Sequence, residues 1–153
     1  GDPLPQISAR TYNLATEGGT FGQNLKVFRP GDLITAERRA FIPGVVMTPS
    51  STEGFRTNLG ILNPSTTAGA QVLVTLWAED GSGSLAEATI YVSPYRLWQA
   101  DLANRLGLAD VEAHGTLELQ LLSGEGVVAY ESVVDNQTQD PILVPAILEL
   151  KRD

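Results

Sequence analysis

Apolar and polar residues alternate with a period of two along much of the chain. Within His114–Leu122, three leucines occupy alternate positions, which is the pattern of a strand with one buried face. Gln71–Ala78 is rich in β-branched and aromatic residues, and a run of Gly, Ser and acidic residues separates it from Ala88–Val92. This arrangement predicts a β-hairpin. Phe55–Leu62 and Val127–Val134 are predicted strands by the same criteria.

One segment has helical periodicity. Between Leu97 and Leu106, Trp98, Leu102 and Leu106 follow one another at four-residue spacing, and Gly107 is a natural helix C-cap. The sequence therefore predicts a short amphipathic crossover helix over this segment.

Short strands separated by Gly, Pro and Ser turns predict an all-β fold, an antiparallel immunoglobulin-like β-sandwich with a core within residues 40–150. Residues 1–32 differ, because they contain few large apolar residues and a Gly-rich middle. We interpret residues 1–32 as an extended N-terminal β-strand arm and residues 33–153 as the sandwich domain. The β-capable pieces of the arm, Ile7–Tyr12 and Leu25–Phe28, are short and isolated, so the arm needs a sheet to pair with.

Composition narrows the function. The 153 residues carry a formal net charge of −8, with no cysteine and one histidine, His114. This excludes a disulfide framework, a thiolate metal site and a cysteine nucleophile, and it argues against nucleic acid as a partner. We expect no cofactor and no metal. No apolar run is long enough to span a bilayer, and we interpret the start at Gly1 as a processed chain or a piece of a longer one.

Four ordered runs carry a resemblance that covers nearly the whole chain: Ser8–Asn13, Gly19–Gln23, Phe55–Asn63 and Ala129–Pro141. They resemble an immunoglobulin-like β-sandwich module of secreted bacterial proteins, whose longer members contain two sandwich repeats in tandem. The chain resembles the second repeat preceded by the last strand of the first. The resemblance implies secretion and a non-catalytic role.

A terminal strand without its own sheet can be added to an exposed sheet edge of a neighbouring copy. Such head-to-tail contacts grow into filaments, and the logic is similar to that of donor-strand pili and matrix fibres. The arm residues predicted to form this inter-subunit strand are Ile7, Ala9, Thr11, Tyr12, Phe21, Leu25 and Val27. The apolar C-terminal segment Ile142–Leu150 is also a candidate donor, although Pro145 suggests an edge position.

Arg56 lies in an otherwise apolar predicted strand, and a buried arginine must be paired. We predict an ion pair with Asp135 that fixes strand register, so that Asp135→Ala would unfold or derange the domain; a ligand-binding arginine is the alternative.

Three other groups are weaker candidates, and for each we favour a structural role. They are a calcium-like loop (Asp80, Ser82, Ser84, Glu87), an acidic and histidine cluster (Asp110, Glu112, His114) and an aromatic platform for sugars (Trp77, Tyr91, Tyr95, Trp98). Ser132, Asp135 and His114 are the residue types of a hydrolase triad, but the nucleophile elbow of such enzymes is missing.

Two functions follow. The first is a non-enzymatic extracellular structural protein, the subunit of a filament or pilus-like fibre assembled by donor-strand complementation between identical copies. The second is a monomeric cell-surface adhesion or carbohydrate- or protein-binding module, with the arm as a linker. An enzyme is a distant third, because no nucleophile, base and orienting group can be assigned.

Overall fold

Alternating apolar residues build two facing antiparallel sheets in the computed structural model, which describes residues 9–14 and 20–150. The strands are β1 (Ala9–Leu14), β2 (Thr20–Leu25), β3 (Arg38–Met47), β4 (Phe55–Asn63), β5 (Ala70–Ala78), β6 (Ser84–Val92), β7 (Arg96–Asp101), β8 (Ala113–Ser123), β9 (Val128–Asp135), β10 (Pro141–Pro145) and β11 (Ile147–Leu150). A 3-10 turn (Pro30–Asp32) and one short helix, α1 (Leu102–Leu106), complete the described elements.

One sheet has four strands in the order β10-β9-β4-β7, and the other has five in the order β11-β3-β8-β5-β6. All pairings are antiparallel. The chain crosses from the first sheet to the second between Pro145 and Ile147. β1 and β2 pair with each other in a separate two-stranded sheet.

The core lies between the two larger sheets, because one residue in two on each strand points inward. In β8, Leu117, Leu119 and Leu121 are buried, as their alternation predicts. They pair in register with Leu76, Val74 and Val72 of β5. Inward residues of the four-stranded sheet cover them; the apolar ones at 0–1% exposure are Leu59, Ile61 and Ala129.

A β-bulge interrupts β3. The register to β8 shifts between Pro43 and Val45, and Gly44 lies between them at φ 93°. Proline has no N–H for the sheet and is tolerated at a bulge, and this positive φ favours glycine. The bulge therefore bends β3 where it faces β9.

The predicted all-β antiparallel sandwich and the predicted hairpin, β5–β6, are both confirmed. The prediction of a helix over Leu97–Leu106 is wrong in its first half: Arg96–Asp101 is strand β7, which pairs with β4. Cross-strand pairing with β4 outweighs the helical spacing there. The helix begins only after Asp101, whose carboxylate accepts a hydrogen bond from the Asn104 backbone N–H. It ends at Gly107 (φ 72°), the predicted C-cap.

In the part of the chain that the structure describes, α1 is far too short to cross a membrane, and no other helix qualifies.

Candidate functional site

In the described part of the N-terminal arm, β1 and β2 form an antiparallel pair, which we call the hairpin, rather than a single extended strand. Of the predicted donor residues, Ala9, Thr11 and Tyr12 lie on β1, whereas Phe21 and Leu25 lie on β2. Val27 follows β2, and Ile7 lies outside the described residues. Of the two predicted β-capable pieces, Ile7–Tyr12 is correct from Ala9, whereas Leu25–Phe28 is wrong beyond Leu25, because residues 26–28 follow β2 and lie in no strand. The strand Thr20–Leu25 was missed because it contains glycine and polar residues.

The hairpin rests on the outer face of the four-stranded sheet. β2 contacts β10, and the hydroxyl of Ser132 on β9 donates a hydrogen bond to Gln23 Oε1 at 3.1 Å. Ser132 is only 4% exposed although it points away from the core. The hairpin thus helps to cover a surface that would otherwise face solvent.

Residues 26–33, which we call the neck, connect the hairpin to the sandwich. Asp32 accepts hydrogen bonds from Lys26 Nζ at 3.0 Å and from the Arg29 backbone N–H at 2.8 Å. The Arg29 N–H, followed by Lys26, holds the pKa of Asp32 below its ordinary value. Beyond the neck, Ile34 exchanges two backbone hydrogen bonds with Val127 and enters the core.

The predicted ion pair between Arg56 and Asp135 is wrong. In the β4–β9 ladder Arg56 pairs with Val134, whereas Asp135 pairs with Phe55, so the two side chains point to opposite faces. Asp135 instead accepts hydrogen bonds from the backbone N–H groups of Gln137 (2.7 Å) and Thr138 (2.9 Å). The Thr138 N–H and then the Gln137 N–H hold the pKa of Asp135 below its usual range. Asp135 shapes the β9–β10 turn.

Arg56 is held by two neutral amides. Its Nη1 donates to Asn136 Oδ1 and its Nη2 donates to Gln139 Oε1, each at 2.8 Å. Asn136 is 5% exposed and is itself fixed, because its Nδ2 donates to the carbonyls of Ser50 (2.8 Å) and Glu53 (3.2 Å). The two runs that carried the family resemblance on β4 and after β9 therefore meet at this guanidinium.

A cleft of about 370 Å³ opens beside Arg56 at one end of the sandwich. Three segments form it: the β3–β4 loop, the start of α1 with the chain after it, and the β9–β10 turn. Its polar lining residues are Thr48, Ser50, Ser51, Arg56, Asp101, Asn104, Asn136 and Gln139. None of the ion pairs formed among the described residues includes Arg56.

Glu131 is an unpaired carboxyl in the interior. It is 0% exposed, and both of its carboxyl oxygens lack a hydrogen-bond partner among the described residues. It faces the core between Leu59 and Val144 in the register of the four-stranded sheet. Burial raises the pKa of Glu131 to about 8, so the carboxyl is mostly protonated at neutral pH.

The outer face of the five-stranded sheet contains the opposite arrangement. Glu118 is 5% exposed and accepts hydrogen bonds from Arg39 Nη1 (3.1 Å), Trp77 Nε1 (2.9 Å) and Gln120 Nε2 (2.9 Å). Arg39 also pairs with Glu149 at 3.2 Å. This network, Arg39–Glu118–Glu149 with Trp77 and Gln120, has its polar groups satisfied.

The acidic candidates remain on the surface. Asp80 Oδ1 accepts the Ser82 backbone N–H at 2.9 Å, which is a turn contact in the β5–β6 hairpin. His114 lies 3.2 Å from Glu112 and 4.0 Å from Glu79, with 44% of its side chain exposed. Within residues 9–14 and 20–150 no group of three acidic or histidine side chains could hold a metal ion.

The structure does not bring the predicted aromatic platform together on one face. Trp77 lies on the outer face of the five-stranded sheet and Tyr91 on its edge strand β6, whereas Trp98 packs against the core from the other sheet. Tyr95 follows β6 at φ 53° and is 75% exposed. Sequence reasoning missed Asn136, Gln139 and Glu131, because the roles of Asn136 and Gln139 depend on a turn and burial gives no local sequence signal.

Comparison with known proteins adds information on the fold alone. The crystal structure of Thermotoga maritima 1070 is similar, with a TM-score of 0.53 and 18% sequence identity over 75% of this chain and 92% of that chain. At 18% sequence identity, the similarity concerns the fold and indicates nothing about function. No protein-family model and no curated protein matches the sequence.

Proposed function

We propose that the chain is a non-enzymatic extracellular structural protein that assembles with identical copies by exchanging its N-terminal hairpin. The observation that carries the proposal is the separate sheet of β1 and β2. In the described residues, the backbone ladder of this sheet joins neither sandwich sheet. The hairpin can therefore leave its own sandwich without breaking a ladder hydrogen bond of the sandwich.

A two-stranded hairpin is marginally stable alone and needs a host surface. Its host here is the outer face of β9 and β10, reached through Gln23 and Ser132. An identical copy offers the same face, so docking on a neighbour restores the same contacts. If each hairpin docks on the next copy rather than on its own, the contact is head-to-tail and the assembly grows as a filament. The unit exchanged is then a hairpin instead of the single strand expected from the sequence.

The non-enzymatic and extracellular parts of the proposal rest on the sequence. The absence of cysteine suits an oxidising compartment, and a single histidine leaves few catalytic combinations. The resemblance to modules of secreted bacterial proteins points the same way. Ser132, which sequence analysis weighed as a nucleophile, is buried and donates its hydroxyl proton to Gln23, and it sits on the face opposite to Asp135.

A cysteine-free chain allows a direct crosslinking test. Two variants, Gln23→Cys and a tagged Ser132→Cys, are unfolded together, refolded as a mixture and treated with a short thiol-reactive linker. Exchange predicts crosslinked dimers that contain one copy of each variant. The matched control replaces Ser132→Cys with Ser84→Cys, an exposed position on β6 far from the hairpin in the sheet order, and should give none.

The same experiment can overturn the proposal. If the mixture gives no mixed dimer while the double variant Gln23→Cys/Ser132→Cys crosslinks within one chain, the hairpin stays on its own sandwich. Light scattering and negative-stain microscopy on the intact chain and on a deletion of residues 1–25 give a second readout. Folded monomers in both cases would leave the monomeric binding module as the function to pursue.

A further inference from the structure

We propose that the cleft beside Arg56 binds the carboxylate of a small hydroxylated molecule. The cleft is formed by loops at one end of the sandwich, whereas the hairpin rests on the outer face of β9 and β10. The proposal is independent of hairpin exchange, and a monomer and a filament subunit would both present the cleft.

The guanidinium of Arg56 is held in place, and it keeps N–H donors that a ligand can use. A guanidinium has five N–H donors, and Asn136 and Gln139 accept two of them. The remaining donors can bind a planar carboxylate through a fork of parallel hydrogen bonds. Because the amides fix the side chain beforehand, little rotamer freedom is lost when a ligand binds.

The charge of Arg56 is a second reason. Asn136 and Gln139 orient the cation with neutral oxygens, and the ion pairs among the described residues do not include it. A structural arginine in a partly buried site is ordinarily paired with a carboxylate, as Arg39 is with Glu118. The opposite charge is therefore expected from a ligand.

Backbone strain falls at the same place. Gln139 has φ 64°, a left-handed conformation that is uncommon for residues other than glycine, asparagine and aspartate. Its side chain both accepts from Arg56 and donates to the Asn136 carbonyl at 2.6 Å. Strained residues of this kind cluster at ligand sites, and here the strain places the amide that orients Arg56.

The lining defines the ligand further. Asp101 lines the same cleft and repels negative charge near it, so the cleft favours a ligand whose charge is confined to the end that contacts Arg56. Asp101 Oδ1 accepts two hydrogen bonds from Asn104, while Oδ2 accepts none from the described residues. Hydroxyl groups on the ligand can donate to Oδ2 and to the Ser51 hydroxyl. A cleft of about 370 Å³ has room for one sugar-acid-sized molecule.

Nuclear magnetic resonance titration of the ¹⁵N-labelled chain tests the site. The probes are sodium glucuronate, sodium acetate, sodium sulfate and glucose, added to the same millimolar concentration at constant ionic strength. We expect saturable shifts for the Arg56 Nε–H and for the backbone amides of residues 48–51 and 136–139. Glucuronate should bind more tightly than acetate or sulfate, and glucose should produce no saturable shift.

Variants assign the binding to Arg56. Arg56→Gln should weaken glucuronate binding at least about tenfold, because it removes a charge-assisted fork. Ser51→Glu leaves Arg56 in place and adds a carboxylate to the exposed rim, so it should also weaken binding. The matched control is Arg96→Gln, at an exposed position on β7 outside the cleft lining, which should leave binding unchanged.

Three results would overturn the proposal. One is the absence of saturable shifts at the cleft residues with glucuronate and acetate. Another is glucuronate binding that is equal in the wild type and in Arg56→Gln, with both shown to be folded by their dispersed amide spectra. Preference for sulfate over glucuronate would refute the carboxylate assignment.

Discussion

The two sheets of the sandwich differ in whether their ionisable side chains have a partner of opposite charge. On the five-stranded sheet, Glu118 is almost fully buried and accepts three hydrogen bonds, one of them from Arg39. On the four-stranded sheet, the interior carboxyl of Glu131 meets no donor, and the guanidinium of Arg56 meets only neutral amides. Paired charges of the first kind serve structure. Glu131, which is mostly protonated at neutral pH, and Arg56 lack an opposite charge among the described residues, and ionisable groups of this kind cluster at functional sites.

The largest expected effect is the pH dependence caused by Glu131. Its pKa is about 8 in the folded state and near 4.5 in the unfolded state. Between these values the unfolded chain loses the proton and the folded chain keeps it, so the free energy of unfolding falls as the pH rises, by an amount on the order of 1 kcal/mol per pH unit. The contribution is fully present below pH 4.5 and is lost as the pH rises through about 8. Urea unfolding at several values between pH 5 and 8 measures the slope.

Glu131→Gln is the control for that slope. The amide cannot ionise, so the free energy of unfolding of the variant should lose this pH dependence. As the pH rises, the variant should become more stable relative to the wild type. The three carboxyl groups with lowered pKa values, Asp32, Asp80 and Asp135, titrate below this window and do not obscure it. Parallel curves for wild type and variant would show that Glu131 ionises freely in the folded protein.

Removal of Glu118 should have the next largest effect. Glu118→Ala leaves Trp77 Nε1 and Gln120 Nε2 without their acceptor, and Arg39 keeps only Glu149. We expect a loss of about 2 kcal/mol of unfolding free energy, since Arg39 is partly exposed and solvent compensates part of the loss. Glu87→Ala, an exposed position in the same row of the sheet, should change stability by less than about 0.5 kcal/mol. Equal midpoints for the two variants would contradict a paired network.

The four-stranded sheet also buries a neutral polar group whose hydrogen bonds are satisfied. It shows whether the sheet differs from its partner in unpaired ionisable groups or in all buried polar groups. Thr57 is 0% exposed, and its Oγ1 donates to the Val46 carbonyl (2.8 Å) and accepts the Val46 N–H (3.2 Å). Thr57→Val should cost about 1–2 kcal/mol by thermal unfolding, because both backbone groups lose a partner. Thr89→Val, an exposed strand position, is the matched substitution and should be nearly neutral. A neutral Thr57→Val would mean that water replaces the hydroxyl.

The smallest effect should come from Arg56, although sequence analysis assigned it a central structural role. Arg56→Gln removes two hydrogen bonds at a partly exposed site and should cost less than about 1 kcal/mol. Asp135→Ala, which the predicted ion pair would make severely destabilising, should lower the denaturant midpoint only slightly, because its turn hydrogen bonds are local and accessible to solvent. Denaturant midpoints for both variants measure this. A loss of several kcal/mol for Arg56→Gln would make it a structural residue after all.

The comparison of the two sheets also shows which features a sequence can predict. Period-two alternation correctly predicted β8 with its three buried leucines, because burial on one face imposes that pattern directly. The segment Arg96–Asp101 was misassigned, because the spacing of Trp98 and Leu102 fits a helix while pairing with β4 decides the outcome. The partners of Arg56 depend on the register between β4 and β9. A shift of this register by one residue would place Asp135 opposite Arg56, on the same face of the sheet. The positive φ of Gln139 has no signal in its residue type.

The register of β11 on β3 has a mechanical consequence. Leu150 pairs with Arg38, so β11 ends beside the first residue of β3, close to where the chain enters the sandwich after the neck. Tension applied between the neck and the C-terminal end would load the four β11 rungs one after another and peel the strand away, instead of shearing all rungs together. The Arg39–Glu149 ion pair lies one residue pair from that end, so it would be the first side-chain contact to oppose the applied force.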